Sequence, residues 1–285
     1  MTPTNMNSRI SFVLLFFVLL SQGAQAQLSE IKVRMDHPDS LVIASHRAAH
    51  AVYPENSLAA IREAIRLGVD IIEIDVKVSS DGVPVLLHDA TVNRTAVSAR
   101  GPLETMTAEQ IKKVKLKNTD GTQSDQYIPT LREALELAKG KVYVDLDLKT
   151  EKVQYLVPII QELDMADQVF FFDSDWDVLD HVRSLMPEAQ LMPRTYSVED
   201  IYAVEKRFAP AMVHIDPSFY TSKTMKVCRK FEMKTWINSL GDLDRKLNST
   251  PDPKLALDLV APGARMVQTD LVDFWVEVRS TANSR

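Results

Sequence analysis

The sequence predicts an α/β domain of parallel strands with helices outside them, either closed into an eight-fold barrel or laid out as an open doubly wound sheet. Two observations carry this reading. Short β-branched runs alternate with longer runs of helical period along most of the chain. Residues 27–285 also match the length of one large α/β barrel domain, with neither repeats nor low-complexity tracts. A third observation counts against a nucleotide-binding open sheet: Ala48-Ala49 stands where a glycine-rich phosphate turn would follow the first strand.

The first 26 residues read as a signal peptide rather than as structure. Arg9 precedes an apolar run from Ile10 to Leu20, and Ala24-Gln25-Ala26 then offers a small-x-small cleavage pattern, so the mature chain is expected to begin near Gln27 in the periplasm or outside the cell. The run is roughly 11 residues against the about 20 needed to span a bilayer. No other stretch is long and apolar enough, so no membrane insertion is expected after cleavage. Cys228 is the single cysteine, expected as a small buried apolar residue, so the exported chain relies on its core rather than on disulfides. A net charge of −6 argues against nucleic acid as a partner, and nothing in the sequence marks an obligate protein partner.

Strands are expected at Leu41–Ser45, Ile71–Val78, Val83–Leu87, Val142–Leu148, Val169–Phe172, Gln190–Met192, Met212–Ile215, Lys234–Ile237 and Met266–Thr269. Helices are expected at Ser57–Leu67, Leu131–Ala138, Val153–Leu163, Trp176–Leu185, Val198–Phe208, Thr221–Phe231 and Leu271–Arg279. In the first, Leu58, Ile61, Ala64, Ile65 and Leu67 recur near a 3.6-residue period, with Asn56 as its expected N-cap and Gly68 as its stop. Residues 91–127 break the rhythm with a polar stretch, a short helical piece at Thr107–Lys113 and a turn at Asp120-Gly121. That is too long for an ordinary loop and is expected to be an inserted lid or subdomain, the plainer alternative being a surface excursion.

Three apolar runs end in polar groups of one chemistry. Ser45-His46-Arg47 closes the first strand, Leu87-His88-Asp89 follows another, and Glu73 and Asp75 lie between them on a strand otherwise built of Ile71, Ile72, Ile74 and Val76. Residues two apart on a strand share a face, so two carboxylates there are costly unless a cation neutralises them. Asp145, Asp147 and Lys149 repeat the pattern on a second strand. Two such faces point to one shared divalent ion, and oxygen-only ligands favour Ca²⁺ or Mg²⁺. Asp147, nearer the strand's C-terminal end, is expected to hold the ion with Glu73 and Asp75, and Asp145 to make a supporting contact lower down, such as a salt bridge.

His46 and His88 suit proton transfer near neutral pH, and Arg47 and Lys149 suit an anionic phosphate. An acid, a base, a cation cage and an anion clamp are the parts of a phosphodiesterase. No Gly-x-Ser-x-Gly elbow offers a serine nucleophile, and no Cys/His spacing suggests zinc. Of the other histidines, His50 could line the mouth, His37 and His181 read as solvated, and His214 as a core residue.

Taken together, His46-Arg47, Pro54-Glu55-Asn56-Ser57, Glu73-Ile74-Asp75-Val76, Asp81-Gly82, His88-Asp89, Ile128-Pro129-Thr130-Leu131, Asp147-Leu148-Lys149, Trp236 with Asn238, and Thr269-Asp270 resemble the glycerophosphodiester phosphodiesterase family over essentially the whole mature chain. The resemblance implies an eight-stranded β/α barrel of the TIM type with a small insertion after the His88 strand. It also implies metal ligands at Glu73, Asp75 and Asp147, catalytic histidines at His46 and His88, and hydrolysis of a small-molecule glycerophosphodiester to an alcohol and glycerol 3-phosphate. Glu55 and Trp236 are taken as further residues lining the site. Two departures stand out: Ala48 where the family commonly has glycine after His-Arg, and Asp147 where it usually has glutamate. The rival readings are a phospholipase D-like lyase on lysolipids or sphingolipids, and a catalytically silent exported binding protein on the same barrel. The first would need an apolar groove, and Phe170-Phe171-Phe172 reads more simply as a buried strand.

Overall fold

A computed structural model describes residues 27–282. The expected signal peptide lies outside the described residues. Eleven strands are present among them: β1 (Val42–Ser45), β2 (Ile71–Val78), β3 (Pro84–Leu86), β4 (Lys115–Lys117), β5 (Gln123–Tyr127), β6 (Tyr143–Leu148), β7 (Val169–Asp173), β8 (Gln190–Thr195), β9 (Met212–Ile215), β10 (Lys234–Asn238) and β11 (Met266–Thr269). Eight run parallel in the order β1-β11-β10-β9-β8-β7-β6-β2, and a further β1–β2 pairing closes the ring. The fold is therefore an eight-stranded TIM-type barrel.

The closure follows from side-chain alternation. On β2 and β6 the apolar residues Ile72, Ile74, Val76, Val144, Leu146 and Leu148 face outward into one core with the surrounding helices. Their neighbours Ile71 and Tyr143 turn inward to a second core with Phe170, Met192 and Trp236. Ile31 and Met35, from helical turns over 27–36, join that inner core, so the N-terminal segment closes the barrel floor. Glu73 and Asp145 sit one inward step above this apolar layer and Asp75 and Asp147 two, so the register Glu73↔Asp145 and Asp75↔Asp147 sets two tiers of acid side by side.

Local signals fix the helices. Ser57, not Asn56, caps Leu58–Leu67, its hydroxyl accepting from the Ala60 amide, and Gly68 ends the helix at φ 76°. Thr130 and Glu133 form a capping box ahead of Leu131–Ala138. The single helix expected over Val153–Leu163 is instead a 3₁₀ turn, Val153–Tyr155, followed by a short helix at Val157–Glu162 with Pro158 in its first turn. Two helices not anticipated, Asp242–Ser249 and Pro253–Val260, fill the β10–β11 crossover. Cys228 is buried and unpaired. Among the described residues no helix is long and apolar enough to cross a membrane.

β3 stands outside the ring, antiparallel to β2, and carries the chain into residues 91–127. There β4 and β5 form an antiparallel pair. Val92, Ala96, Leu103, Ile111 and Leu116 pack with Val85 and Leu87 of the β3 segment into a small core of their own. The insertion is a folded lobe.

Candidate active site

Polar side chains gather at the C-terminal end of the barrel, where loops are free to vary without disturbing the core. One carboxylate oxygen each of Glu73, Asp75 and Asp147 lies within 4.8 Å of the others. The protein occupies the remaining oxygens of the first two. Glu73 Oε2 accepts from the Arg47 amide at 2.7 Å and from Gln268 Nε2 at 3.1 Å. Asp75 Oδ2 accepts from Asn56 Nδ2 at 2.7 Å. Glu73 Oε1 and Asp75 Oδ1 are buried with no hydrogen-bond partner. Buried acids left with one free oxygen apiece, all aimed at a common point, are a donor set for a hard divalent cation.

Burial, reinforced by the charges of its neighbours, drives Glu73 well above the ordinary carboxylate range. Burial likewise raises Asp147 to about 6 against the pull of Lys149, whose Nζ donates to Asp147 Oδ2 at 2.6 Å and lies 3.6 Å from Asp75 Oδ1. Acids held this far from their preferred charge state are what a bound cation would relieve. Asp145 sits one tier lower and is not part of the cluster. Among the described residues it makes no salt bridge: its Oδ1 has no partner, and burial pushes its carboxyl well above the ordinary range.

Both histidines at the rim are held by a carboxylate. His46 Nδ1–H donates to Asp270 Oδ1 at 2.8 Å, and His88 Nδ1–H donates to Asp89 Oδ1 at 2.8 Å. Each bond fixes a tautomer and leaves Nε2 free. His50 joins the first pair, donating from Nδ1 to the His46 carbonyl at 2.9 Å with Nε2 3.5 Å from Asp270. Arg47 reaches Glu55 through Nη1 at 3.0 Å and lies 3.5 Å from Asp75 through Nε. Arg47 and Ala48 both have left-handed backbone, φ 49° and 61°, a conformation that costs an L-residue about 1–2 kcal/mol. The turn they make aims the Arg47 amide at Glu73, and it explains why glycine suits the position Ala48 holds.

The remaining residues singled out in the sequence sort by burial. Trp236 is fully buried and touches the cluster only indirectly, its indole donating to Gln268 Oε1 at 3.3 Å, so it forms part of the floor rather than the mouth. Glu55 is half-buried at the mouth between two arginines, Arg47 and Arg94. His214 is buried against Phe172, donates to Asn238 at 3.0 Å, and is pushed down to about 3 by burial and by Arg194. His37 and His181 are exposed. Sequence reasoning missed Asn56, Gln268 and Asp270 as working parts, since each acts only through a residue distant in sequence. A cavity of about 490 Å³ opens at the opposite end of the barrel, but its Asp36 and Lys234 already pair at 2.7 Å, so volume alone does not locate the chemistry.

With this geometry, the comparison with known proteins is decisive. The profile of the glycerophosphoryl diester phosphodiesterase family matches residues 46–213, which begin at His46 and run to β9. The chain belongs to the glycerophosphoryl diester phosphodiesterase family. Among sequence relatives of this family, a glycerophosphodiester phosphodiesterase from Caldanaerobacter subterraneus is 28% identical over 244 residues, covering 79% of this chain and 99% of the relative. Human glycerophosphodiester phosphodiesterase 1 is 42% identical over 115 residues, 39% of this chain and 34% of the human protein. The barrel superposes on a glycerophosphoryl diester phosphodiesterase from Parabacteroides distasonis with a TM-score of 0.76 at 21% identity, covering 90% of this chain and 92% of that one. It matches an Oleispira antarctica phosphodiesterase, solved with its product sn-glycerol-3-phosphate, with a TM-score of 0.71 at 22% identity over 86% and 98% of the two chains. At such identities these structures establish the family's fold.

Proposed function

We propose that this chain hydrolyses glycerophosphodiesters to an alcohol and glycerol 3-phosphate, with one divalent cation, Ca²⁺ or Mg²⁺, held by Glu73, Asp75 and Asp147. Membership in the family makes it a phosphoric diester hydrolase. The observation that carries the reading is the pair of buried, unpartnered oxygens on Glu73 and Asp75 beside Asp147, ringed by Arg47, Lys149, His46 and His88. A cation bound there supplies charge neutralisation and polarisation at the phosphoryl group.

The chain's own residues account for the rest. Arg47, with its Nε buried and free of hydrogen bonds, and Lys149 hold the non-bridging oxygens of the phosphate. His46, kept by Asp270 in the tautomer that leaves Nε2 bare, takes the proton of the attacking hydroxyl, either water or the neighbouring glycerol hydroxyl. His88, held by Asp89, gives a proton to the departing alcohol. Residues 1–26 direct export and are removed, which N-terminal sequencing of the protein recovered outside the cytoplasm would check.

The test is product analysis by phosphorus NMR with the mature chain, Ca²⁺ or Mg²⁺, and a mixture of glycerophosphocholine, glycerophosphoethanolamine, glycerophosphoinositol and a lysophospholipid. Release of glycerol 3-phosphate supports the proposal. A cyclic phosphate that persists from the lysolipid would make the chain a lyase instead, and binding without turnover would make it a silent binding protein.

A further inference from the structure

Arg94 belongs to the inserted lobe, yet its guanidinium is shared between two carboxylates that serve the barrel's rim. Nε and Nη2 donate to Asp89 at 2.7 and 3.0 Å. Nη1 and Nη2 donate to Glu55 at 2.6 and 2.7 Å. Asp89 holds His88, and Glu55 holds Arg47. One unbroken line of hydrogen bonds therefore runs His88, Asp89, Arg94, Glu55, Arg47.

We propose that Arg94 is a positioning residue that sets the His88 imidazole against the Arg47 guanidinium, so that proton donor and phosphate clamp engage the same phosphodiester. This rests on the roles assigned above to His88 and Arg47. Three features support it. Asp89 and Glu55 would face each other as like charges without a cation between them, and a planar fork with two donating edges is what can satisfy both at once. Burial alone would raise Glu55, but the hydrogen bonds of Arg94 and the charge of Arg47 hold it below its ordinary value, and Asp89 is held low chiefly by Arg94. With Glu55 neutralised by Arg94, Arg47 commits only Nη1 to it and keeps Nε turned toward the cluster.

The lobe can hold such a joint because its backbone is anchored. Lys117 N–H donates to the Thr95 carbonyl at 2.8 Å and Ala96 N–H to the Val92 carbonyl at 2.9 Å, fixing the chain on either side of Arg94. Thr119 Oγ1 donates to the His50 carbonyl at 2.5 Å, tying the lobe to the loop that carries Arg47. Arg94 itself is half-exposed, so its pairs add little to stability while constraining geometry. The lobe is thereby part of the catalytic apparatus.

The experiment uses the full mature chain loaded with its cation. Arg94→Ala should lower kcat on a glycerophosphodiester about 10- to 100-fold, the scale of a misplaced group near 1 Å. It should also weaken inorganic phosphate binding several-fold while cation affinity and Tm stay near wild type. Arg94→Lys should recover part of kcat, and Arg94→Ala with Asp89→Ala should cost little more than either alone. In proton–nitrogen NMR, the His88 Nδ1–H resonance should move in Arg94→Ala and stay in the control Lys113→Ala. Wild-type kcat and phosphate affinity in Arg94→Ala, additive losses, or a loss of kcat accompanied by lost cation affinity and melted structure would each overturn the proposal. If the wild-type protein releases no glycerol 3-phosphate, the hydrolase reading fails instead, and the Arg94 proposal stands or falls on the phosphate titration and the imidazole resonance.

Discussion

Asn56 and Asp75 are joined twice: Asn56 Nδ2 donates to Asp75 Oδ2 at 2.7 Å, while the Asp75 amide donates to Asn56 Oδ1 at 3.0 Å. Asn56 adopts φ 56°, the left-handed region asparagine tolerates, to make this reach from the loop before Ser57. The pair fixes which oxygen of Asp75 faces the proposed cation site. Asn56→Ala should therefore weaken divalent cation affinity about 10- to 100-fold with all three acids intact, the usual cost of losing a group that orients a ligand. Calorimetric titration of the metal-free variant checks this, and unchanged affinity would reduce Asn56 to a loop residue.

Asp270 bears the same relation to His46. Burial would raise its carboxyl, but the His46 hydrogen bond and charge hold it below the ordinary value, so it stands ionised against the imidazole. Asp270→Asn should lower kcat roughly 10- to 100-fold with unchanged cation affinity, less than the 10²- to 10⁴-fold expected for His46→Ala or His88→Ala. Steady-state kinetics on the three variants gives the ranking. Asp270→Asn at wild-type kcat would leave His46 without need of its partner.

Legibility in the sequence followed the range of the interaction. The strands β2 and β6 declare themselves because a period of two puts Ile72, Ile74 and Val76 on one face and Glu73 and Asp75 on the other, and burial enforces that register. Asn56 misled because an Asn-Ser pair ahead of an apolar run satisfies the capping pattern twice, and local sequence does not say which residue is free for other duty. The polar Lys115–Lys117 and Gln123–Tyr127 hairpin, and the polar Asp242–Ser249 helix, bury too few apolar residues to stand out. Asp252 followed by Pro253 did carry a readable helix start. Gln268 answers to Glu73, and Arg94 joins nearby Asp89 to Glu55, 39 residues away, so no local pattern announces the link either one makes.

Asp145 and Asp147 lie on one face of β6 but differ in surroundings. Asp147 meets Lys149 and shares the cluster with Glu73 and Asp75, whereas Asp145 has no hydrogen-bond donor at Oδ1 among the described residues and burial pushes its carboxyl well above the ordinary range. Asp147→Asn should abolish most activity and weaken cation binding sharply. Asp145→Asn keeps the size of a side chain whose charged form burial disfavours, so Tm should shift by no more than about 2–4 °C and cation affinity should hold. Lost affinity in Asp145→Asn with unchanged affinity in Asp147→Asn would exchange the two assignments.

The cluster also sets how stability should vary with pH. Burial raises Asp147 from an ordinary 3.8 to about 6 and carries Glu73 and Asp145 well above their ordinary values. Without cation, the folded chain therefore keeps protons on these groups that the unfolded chain has released. Their contribution to stability is complete below about pH 4 and is lost as pH rises through 6 and beyond. The depressed acids Asp89, Asp270 and Glu55 act in the opposite sense, but their window lies below their ordinary values, at more acid pH. Cation binding needs Glu73 and Asp147 ionised, so its stabilisation grows over the very range in which the metal-free protein weakens. Thermal unfolding with chelator and with millimolar Ca²⁺ or Mg²⁺ should show a Tm gap that is small at pH 5 and widens toward pH 8. A gap of constant size across that range would mean that the cation does not compete with protons at this cluster and binds elsewhere.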